Sequence, residues 1–135
     1  MAKESGLGMT VACDDVGGTV RTISNEITSL QWAMPSDMED ITGLDNSGME
    51  RLLLLADFTV ALSGITNFSA NLSHDVFKEV GVTSVTRTLT FTHSGQILET
   101  EDLFNEYVVT RPADGSRPWS AAGVLNETVV PAWTV

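Results

Sequence analysis

The sequence predicts a mainly β protein, an antiparallel β-sandwich or barrel of about seven to nine strands with one short α-helix. Short segments in which apolar and polar residues alternate recur along the chain, and turn residues separate them. Only one segment has the spacing of an amphipathic helix. The 135 residues, of which 42% are hydrophobic and 19% charged, suffice for the core of one domain and are too few for two ordinary domains.

The N-terminal tract, residues 1–18, is predicted to be a flexible arm because the glycines of "DDVGGT" are typical of irregular chain. A single β domain then covers residues 19–135. The opening "MAKESGLGMT" carries no apolar run behind its lysine, so we expect no secretory signal. Cys13 is the only cysteine, which excludes an internal disulfide and favours folding in a reducing cytoplasm.

Residues 27–42 predict a hairpin with an acidic tip. "ITSLQWA" alternates as a strand does, Pro35 and the Ser-Asp pair after it are turn residues, and "EDITGL" returns as a second short strand. "DNSG" at residues 45–48 is a further turn, which leads into the next strand.

The segment "MERLLLLADFTVALSGI", residues 49–65, is interpreted as one long strand. A membrane helix is excluded because Asp57 lies near its middle and charged residues flank the leucines. From Phe58 onward apolar and polar residues alternate strictly, which favours a strand from Leu52 to Leu62 of about 11 residues, roughly twice the usual length. One face of this strand is apolar throughout and the other only at its start; a local helical turn over the leucines is the alternative.

One helix is predicted over residues 73–80, with Ser73 as N-cap, Asp75 in the first turn and Gly81 at its end. Its apolar face should pack against a sheet. The strand "VTSVTRTLTFTHSG" follows and carries a row of threonines on one face. The chain closes with "GQILETEDLF" and "NEYVVTR" as two strands or one bent strand, the turn "PADGSRP", and the strands "WSAAGVL" and "TVVPAWTV".

The charge balance argues against a surface that grips nucleic acid. Eighteen acids against seven Lys and Arg residues give a formal net charge of −11, which repels phosphate. The acids are unevenly distributed, with runs that contain no base between Arg21 and Arg51 and between Arg87 and Arg111. A solvated acidic face explains such runs, and a surface that repels a polyanion is the second interpretation.

No pattern in the sequence indicates catalysis, a cofactor or a metal, and we expect the protein not to be an enzyme. His74 at the helix start and His93 at a strand end are interpreted as solvated surface residues. The sequence contains no zinc-protease, phosphate-loop or dinucleotide-binding motif, and its acids near residue 38 lack the spacing of a calcium loop. The tryptophans lie in or beside predicted strands, where core or interface positions are more common than a sugar-binding platform.

The order of these elements matches one known family. Over nearly its whole length the sequence resembles the tail tube proteins (major tail proteins) of long-tailed bacteriophages, particularly the small versions in phages of actinobacteria. The residues that carry the resemblance are "MAKESGLGMTV", "DDVGGTVRTISNEITSL", "DITGLDNSGMERLLLLADFTVALSGI", "SHDVFKEV" and "YVVTRPADGSRPWSAAGVL".

The resemblance implies a structural virion protein with a β-sandwich flanked by a helix. Subunits of this family assemble as stacked hexameric rings, and each lends strands to a barrel around a channel through which DNA leaves the capsid without specific binding. Tape measure and tail terminator proteins are the implied partners, and the implied location is the phage tail, after synthesis in the host cytoplasm. The alternatives are another virion β protein, such as a capsid decoration or neck protein, or a carbohydrate-binding module.

The resemblance also assigns candidate residues. An acidic channel lining repels DNA and lets it slide. The candidates for facing the channel are Asp37, Glu39, Asp40 and Asp57, and those for contacts between subunits are Leu53, Leu55, Trp32 and Trp133. The hairpin of residues 27–42 is expected to pair edge to edge with the next subunit. The arm of residues 1–18 and the C-terminal "VVPAWTV" are expected to make contacts between rings.

Overall fold

The computed structural model describes residues 7–129 and 131–134. In this part of the chain, ten strands, one short helix and one 3-10 turn follow one another, so the mainly β fold with a single short helix is confirmed. Their bounds are β1 Thr10–Asp14, β2 Val20–Thr22, the 3-10 turn Ser24–Glu26, β3 Ile27–Ala33, β4 Ser36–Asp40, β5 Arg51–Ala56, β6 Thr59–Ile65, α1 Ser73–Phe77, β7 Arg87–His93, β8 Gln96–Val109, β9 Pro118–Leu125 and β10 Trp133–Thr134.

Eight of the strands form one antiparallel sheet in the order β2-β1-β7-β8-β9-β6-β3, with β10 added to β8. The long strand β8 belongs to both halves of this sheet, because its first part pairs with β7 and its second part with β9. Asp102 is the residue of β8 that pairs with both neighbours, Arg87 on one side and Leu125 on the other. A register shift between Phe104 and Glu106 follows, and such irregularities bend a strand.

The two halves of the sheet share one core. Residues buried in it come from β1, β7 and the first part of β8 on one side, and from β6, β9 and the second part of β8 on the other. Phe77 of α1 packs among the rings of Phe104, Tyr107 and Trp119, with ring centroids 5.1 to 5.8 Å apart. Aromatic packing of this kind adds to simple area burial, so α1 is anchored chiefly through Phe77.

Two buried ionisable residues, Arg87 and Asp102, lie where the two halves meet. Arg87 is 1% exposed, and its Nη1 donates hydrogen bonds to the carbonyl oxygens of Asp14 (3.0 Å) and Val76 (2.5 Å), which ties β1 and α1 to β7. Asp102, opposite Arg87 in register, is fully buried, and its Oδ2 accepts a hydrogen bond of 2.5 Å from the Thr100 hydroxyl. Burial raises the pKa of Asp102 to about 6.

This pKa predicts that the fold is more stable in mild acid than in mild base. A carboxyl whose pKa is higher in the folded state than in the unfolded chain takes up a proton on folding, so stability falls as the pH rises through about 6. Between pH 5 and pH 8 we expect the free energy of unfolding to drop by about 1–2 kcal/mol on account of Asp102. Urea denaturation at the two pH values measures the drop, and Asp102→Asn should remove it.

Four other carboxyls contribute to the pH dependence of stability outside this range. Hydrogen bonds lower the pKa of four exposed or half-buried carboxyls, so their contribution to stability is lost only below about pH 4. These are Asp15, Asp40, Asp75 and Asp114. The exposed Glu99→Gln is the control, and the prediction is wrong if it flattens the pH profile as much as Asp102→Asn does.

The prediction of a flexible arm over residues 1–18 is wrong for residues 10–14. They form β1, which pairs with β7 and buries Val11 and Cys13. The glycines that suggested an arm make a tight turn instead: Gly17 and Thr19 donate backbone hydrogen bonds to the Asp15 carboxylate, and the turn joins β1 to β2. Residues 1–6 of the predicted arm lie outside the described residues.

The helix is shorter than predicted. α1 ends at Phe77, and turns continue from residue 78 through residue 82. Its N-cap is Leu72, without a capping side chain, whereas Ser73 is buried and its backbone N–H donates to Glu26 Oε1 at 3.3 Å. Ser73 is therefore used to join α1 to the 3-10 turn and does not cap the helix.

The predicted pairings of residues 27–65 are also corrected. The expected hairpin of residues 27–42 does not form as such, because β3 pairs with β6 and β4 pairs with β5. The expected single strand from Leu52 to Leu62 is interrupted at Asp57 and Phe58. Phe58 turns into the core, and the Asp57 carboxylate accepts a hydrogen bond of 2.8 Å from the Phe58 N–H, which breaks the alternation. No helical turn forms over the leucines.

Candidate assembly interface

The most unusual feature is a two-stranded hairpin that extends beyond the sandwich. β3 continues into β4 and β5 into β6, so that Ala33 pairs with Thr59 before the break and Ser36 with Ala56 after it. Across the break, the Asp57 N–H donates to the Pro35 carbonyl at 2.8 Å. β4 and β5 form their own sheet and pair with no other described strand. We call residues 36–56 the projecting hairpin and residues 41–50 its tip.

The projecting hairpin exposes apolar side chains on both faces. Every residue of β5 is exposed, with Leu53 at 67% and Leu55 at 92%. Met38, Ile41, Leu44, Met49, Leu52 and Leu54 are exposed too. An isolated two-stranded hairpin is marginally stable in water, and apolar patches of this kind mark protein interfaces. Leu53 and Leu55, the predicted contact residues, are therefore free to meet another molecule.

The strand register divides the hairpin into two faces. Glu39 lies opposite Leu52, and Met38 lies opposite Leu53. Because directly paired residues share a face and neighbours along a strand alternate, Met38 and Leu53 lie on one face, and Glu39 and Leu52 on the other. A register shift between Ser36 and Met38 interrupts the alternation. The sequence predicted one inward apolar face over the whole segment, and in β5 both faces are open.

The predicted channel residues are exposed but do not share one face. Asp37, Glu39 and Asp40 lie on β4, and Asp57 lies at the break. Glu39 and Asp40 are neighbours on a strand and point to opposite faces. Asp40 Oδ1 accepts hydrogen bonds from the Thr42 N–H (2.9 Å) and hydroxyl (2.5 Å), which lower the pKa of Asp40. Their role as a channel lining stays a prediction.

Trp32 and Trp133 come together on the sandwich, apart from the leucines of the hairpin. Trp32 of β3 stacks on Phe91 with centroids 5.4 Å apart and meets Trp133 at 6.0 Å. Trp133 lies on β10, opposite Leu98 of β8, and is 44% exposed. The planes of the two indoles are tilted by 55°, so the rings do not form the flat platform on which a sugar stacks.

An open sheet face with little charge is a feature that the sequence analysis missed. The sandwich consists of the two halves of the sheet, and one half is formed by four strands, β3, β6, β9 and the second part of β8. We call it the four-stranded half. One cross-strand row on its outer face consists of Gln31, Ala61, Ala122 and Glu106, and a second consists of Ser29, Ser63, Ser120 and Val108. Glu106 is the only charged residue in these rows. The small polar residues that alternate with core residues in β3, β6 and β9 were the available signal.

The same half of the sandwich has two open borders. β3 is the last strand of the sheet, so its outer border carries no described strand. On β8, the border that carries β7 is paired only as far as Asp102, and the stretch from Leu103 to Val109 carries no described strand there. Open borders leave backbone N–H and C=O groups ready to pair with another chain.

The two histidines lie on different elements, His74 on α1 and His93 on β7. His74 lies within hydrogen-bonding distance of the Tyr107 hydroxyl (3.2 Å) and edge-on to Phe68, and His93 ends β7. Within the described ranges, no group of three or more His, Cys, Asp and Glu residues is arranged to hold a metal ion. The same part of the chain contains no helix of the length and apolarity that a membrane crossing requires.

Comparisons with known proteins connect this fold with virus-like particles. No family model and no curated protein matches the sequence. Among solved structures, a chain of the virion of a native gene transfer agent particle is similar, with a TM-score of 0.77 and 12% identity over 98% of this chain and 100% of that chain. A chain of the tail of an empty gene transfer agent particle, with C6 symmetry, has a TM-score of 0.71 and 14% identity over the same shares. At these identities the likeness establishes the fold, and the tail-protein fold implied by the sequence is confirmed.

Proposed function

We propose that this chain is a structural virion protein, the subunit of a tail tube that self-assembles into stacked hexameric rings around a channel for DNA. The observation that carries the proposal is the projecting hairpin, whose exposed leucines lack a partner within the described chain. The similarity to a tail chain from a particle with C6 symmetry supports it.

Ring closure is proposed to use the two open borders of the four-stranded half. The border of β3 on one copy pairs with the Leu103–Val109 border of β8 on the next copy. These are two different surfaces, so the contact is heterologous, and such contacts generate rings when the rotation closes. Four strands from each copy then make one continuous barrel, and backbone groups that an isolated chain leaves open are satisfied.

The channel lining is proposed to repel DNA. The open face of the four-stranded half, with Glu106 as the charged residue of its two rows, would face the channel. The acids Asp37, Glu39, Asp40 and Asp57 remain candidates for the same role. The net charge of −11 favours passage of DNA without binding, because acids outnumber the bases that could neutralise phosphate. Tape measure and tail terminator proteins, and a location in the phage tail, belong to the same proposal.

Electron microscopy of the purified protein tests the proposal. We expect tubes of uniform width with sixfold rings, or hexamers in sizing experiments, with the leucines at the subunit interface. A chain that remains monomeric at high concentration contradicts the proposal. A chain that forms no tubes and binds preformed capsids instead is a decoration or neck protein.

A further inference from the structure

The two ends of the four-stranded half differ in charge. The projecting hairpin leaves one end and carries five acids and one base over residues 36–56: Asp37, Glu39, Asp40, Asp45, Glu50 and Arg51. At the other end the turn of residues 110–117, which joins β8 to β9, carries two bases, Arg111 and Arg117, and one acid, Asp114. The Asp114 carboxylate accepts hydrogen bonds within the turn, from the Ser116 N–H (3.0 Å) and hydroxyl (2.8 Å). We call this turn the arginine turn.

The strand register shows that these surfaces lie at opposite ends. Thr59, next to the hairpin, pairs with Ala33 and Val124, whereas Ile65 pairs with Pro118 beside the arginine turn. The six steps from Thr59 to Ile65 along β6 span roughly 20 Å at the usual rise per residue. The hairpin extends the ribbon away from the arginine turn, so one molecule cannot bring its own tip to its own turn.

Outside the hairpin, the exposed described bases that lack a carboxylate partner are those of the arginine turn. Among described bases outside the hairpin, Arg21 pairs with Asp15 at 3.2 Å, Lys78 pairs with Asp75 at 2.9 Å, and Arg87 is buried. Arg111 and Arg117 are exposed and have no described carboxylate within 4 Å. In an acidic chain, two unpaired guanidinium groups at one end form a docking surface for carboxylates.

The tip and the arginine turn also match in apolar character. Leu44 at the tip is fully exposed, and it stands next to Asp45 in the turn closed by the hydrogen bond from the Asn46 N–H to the Gly43 carbonyl. At the arginine turn, the Arg117 guanidinium lies 4.8 Å above the ring of Phe68, which is 49% exposed. Each surface thus joins an exposed apolar group to charges, and the net charges of the two surfaces are of opposite sign.

We propose that the tip of one copy docks on the arginine turn of a second copy stacked along the strand direction. Asp45 and Glu50 of the tip meet Arg111 and Arg117, and Leu44 of the tip packs against Phe68 of the second copy. The inference rests on the proposed tube, because it supplies the contact between successive rings. It is a head-to-tail contact between two different surfaces, which propagates along an axis and does not close.

Reversal of charge on each surface tests the docking. The variant Arg111→Glu with Arg117→Glu is expected to raise the critical concentration for tube formation at least about tenfold, since each docked carboxylate now meets a carboxylate. Asp45→Lys with Glu50→Lys is expected to do the same. One pair makes the chain more acidic and the other less acidic, so a common loss cannot come from net charge. The four substitutions together should restore assembly to within about threefold.

The outcomes separate this inference from the proposed function. Circular dichroism and thermal unfolding check that every variant is folded. If the wild type forms tubes and the Arg111→Glu, Arg117→Glu variant forms them at the same concentration, the docking is wrong and the tube proposal stands. If the arginine variant and the acid variant both lose assembly and the fourfold variant does not restore it, the proposed contact between these charges is also wrong. A wild type that forms neither hexamers nor tubes overturns both proposals.

Discussion

Replacement of Leu53 and Leu55 together by aspartate is expected to abolish tube assembly and to leave the sandwich folded. Both side chains are open to solvent, at 67% and 92%, and neither belongs to the core. Burial of a leucine in an interface contributes about 1.5–3 kcal/mol, and the loss recurs at every subunit of a polymer. Buried carboxylates without partners add a further penalty. Sizing and electron microscopy measure assembly, and far-ultraviolet circular dichroism measures the fold.

The control variant replaces an exposed apolar residue outside the projecting hairpin by aspartate. Val20 is 64% exposed, close to the 67% of Leu53, and lies on β2, outside the projecting hairpin and the borders proposed to pair. Val20→Asp introduces the same charge as Leu53→Asp alone and should assemble like the wild type, whereas Leu53→Asp should not. If the leucine variant also forms normal tubes, the hairpin is not the assembly element.

Local alternation was sufficient to identify most strands. In β7, the predicted row of threonines on one face leaves Arg87, Leu89 and Phe91 for the other, and these three are buried in the structure. Residues 95–111 were predicted as two strands or one bent strand, and the structure has the bent strand β8, Gln96–Val109. Alternation of apolar and polar residues depends only on whether each side chain points toward the core or away from it. It can therefore be read from the sequence one residue at a time.

Pairing partners and buried charges could not be obtained in this way. β3 pairs with β6 across about 30 residues, and nothing local distinguishes that partner from β4, which follows β3 directly. Arg87 and Asp102 resemble solvated charges in the sequence, but they lie opposite each other on paired strands where the two halves of the sheet meet, and both are buried. The sequence indicated the projecting hairpin only as part of an unusually long apolar strand. The direction in which the hairpin leaves the sandwich depends on the break at Phe58, which is buried in the core.

Gly64 lies too close to the backbone of Glu26 to carry a side chain, and this gives the strongest prediction for the fold itself. Gly64→Ala is expected to prevent folding. A Cβ at this position would lie 1.7 Å from the Glu26 carbonyl oxygen and 2.8 Å from its carbon, both backbone atoms. The Trp119 Nε1–H donates a hydrogen bond of 3.3 Å to the same Glu26 oxygen. Relief of the clash would therefore separate β3 from β6 and break the anchor of a buried tryptophan.

We expect Gly64→Ala to cost at least about 4 kcal/mol of the free energy of unfolding, since over-packing against backbone cannot relax as a side chain does. Gly48→Ala is the matched control, because a Cβ there meets nothing within 4 Å. Urea denaturation compares the two variants with the wild type. A Gly64→Ala protein with a wild-type midpoint would show that β3 does not lie against β6 as described. The ribbon that carries the projecting hairpin, and both proposals built on it, depend on that contact.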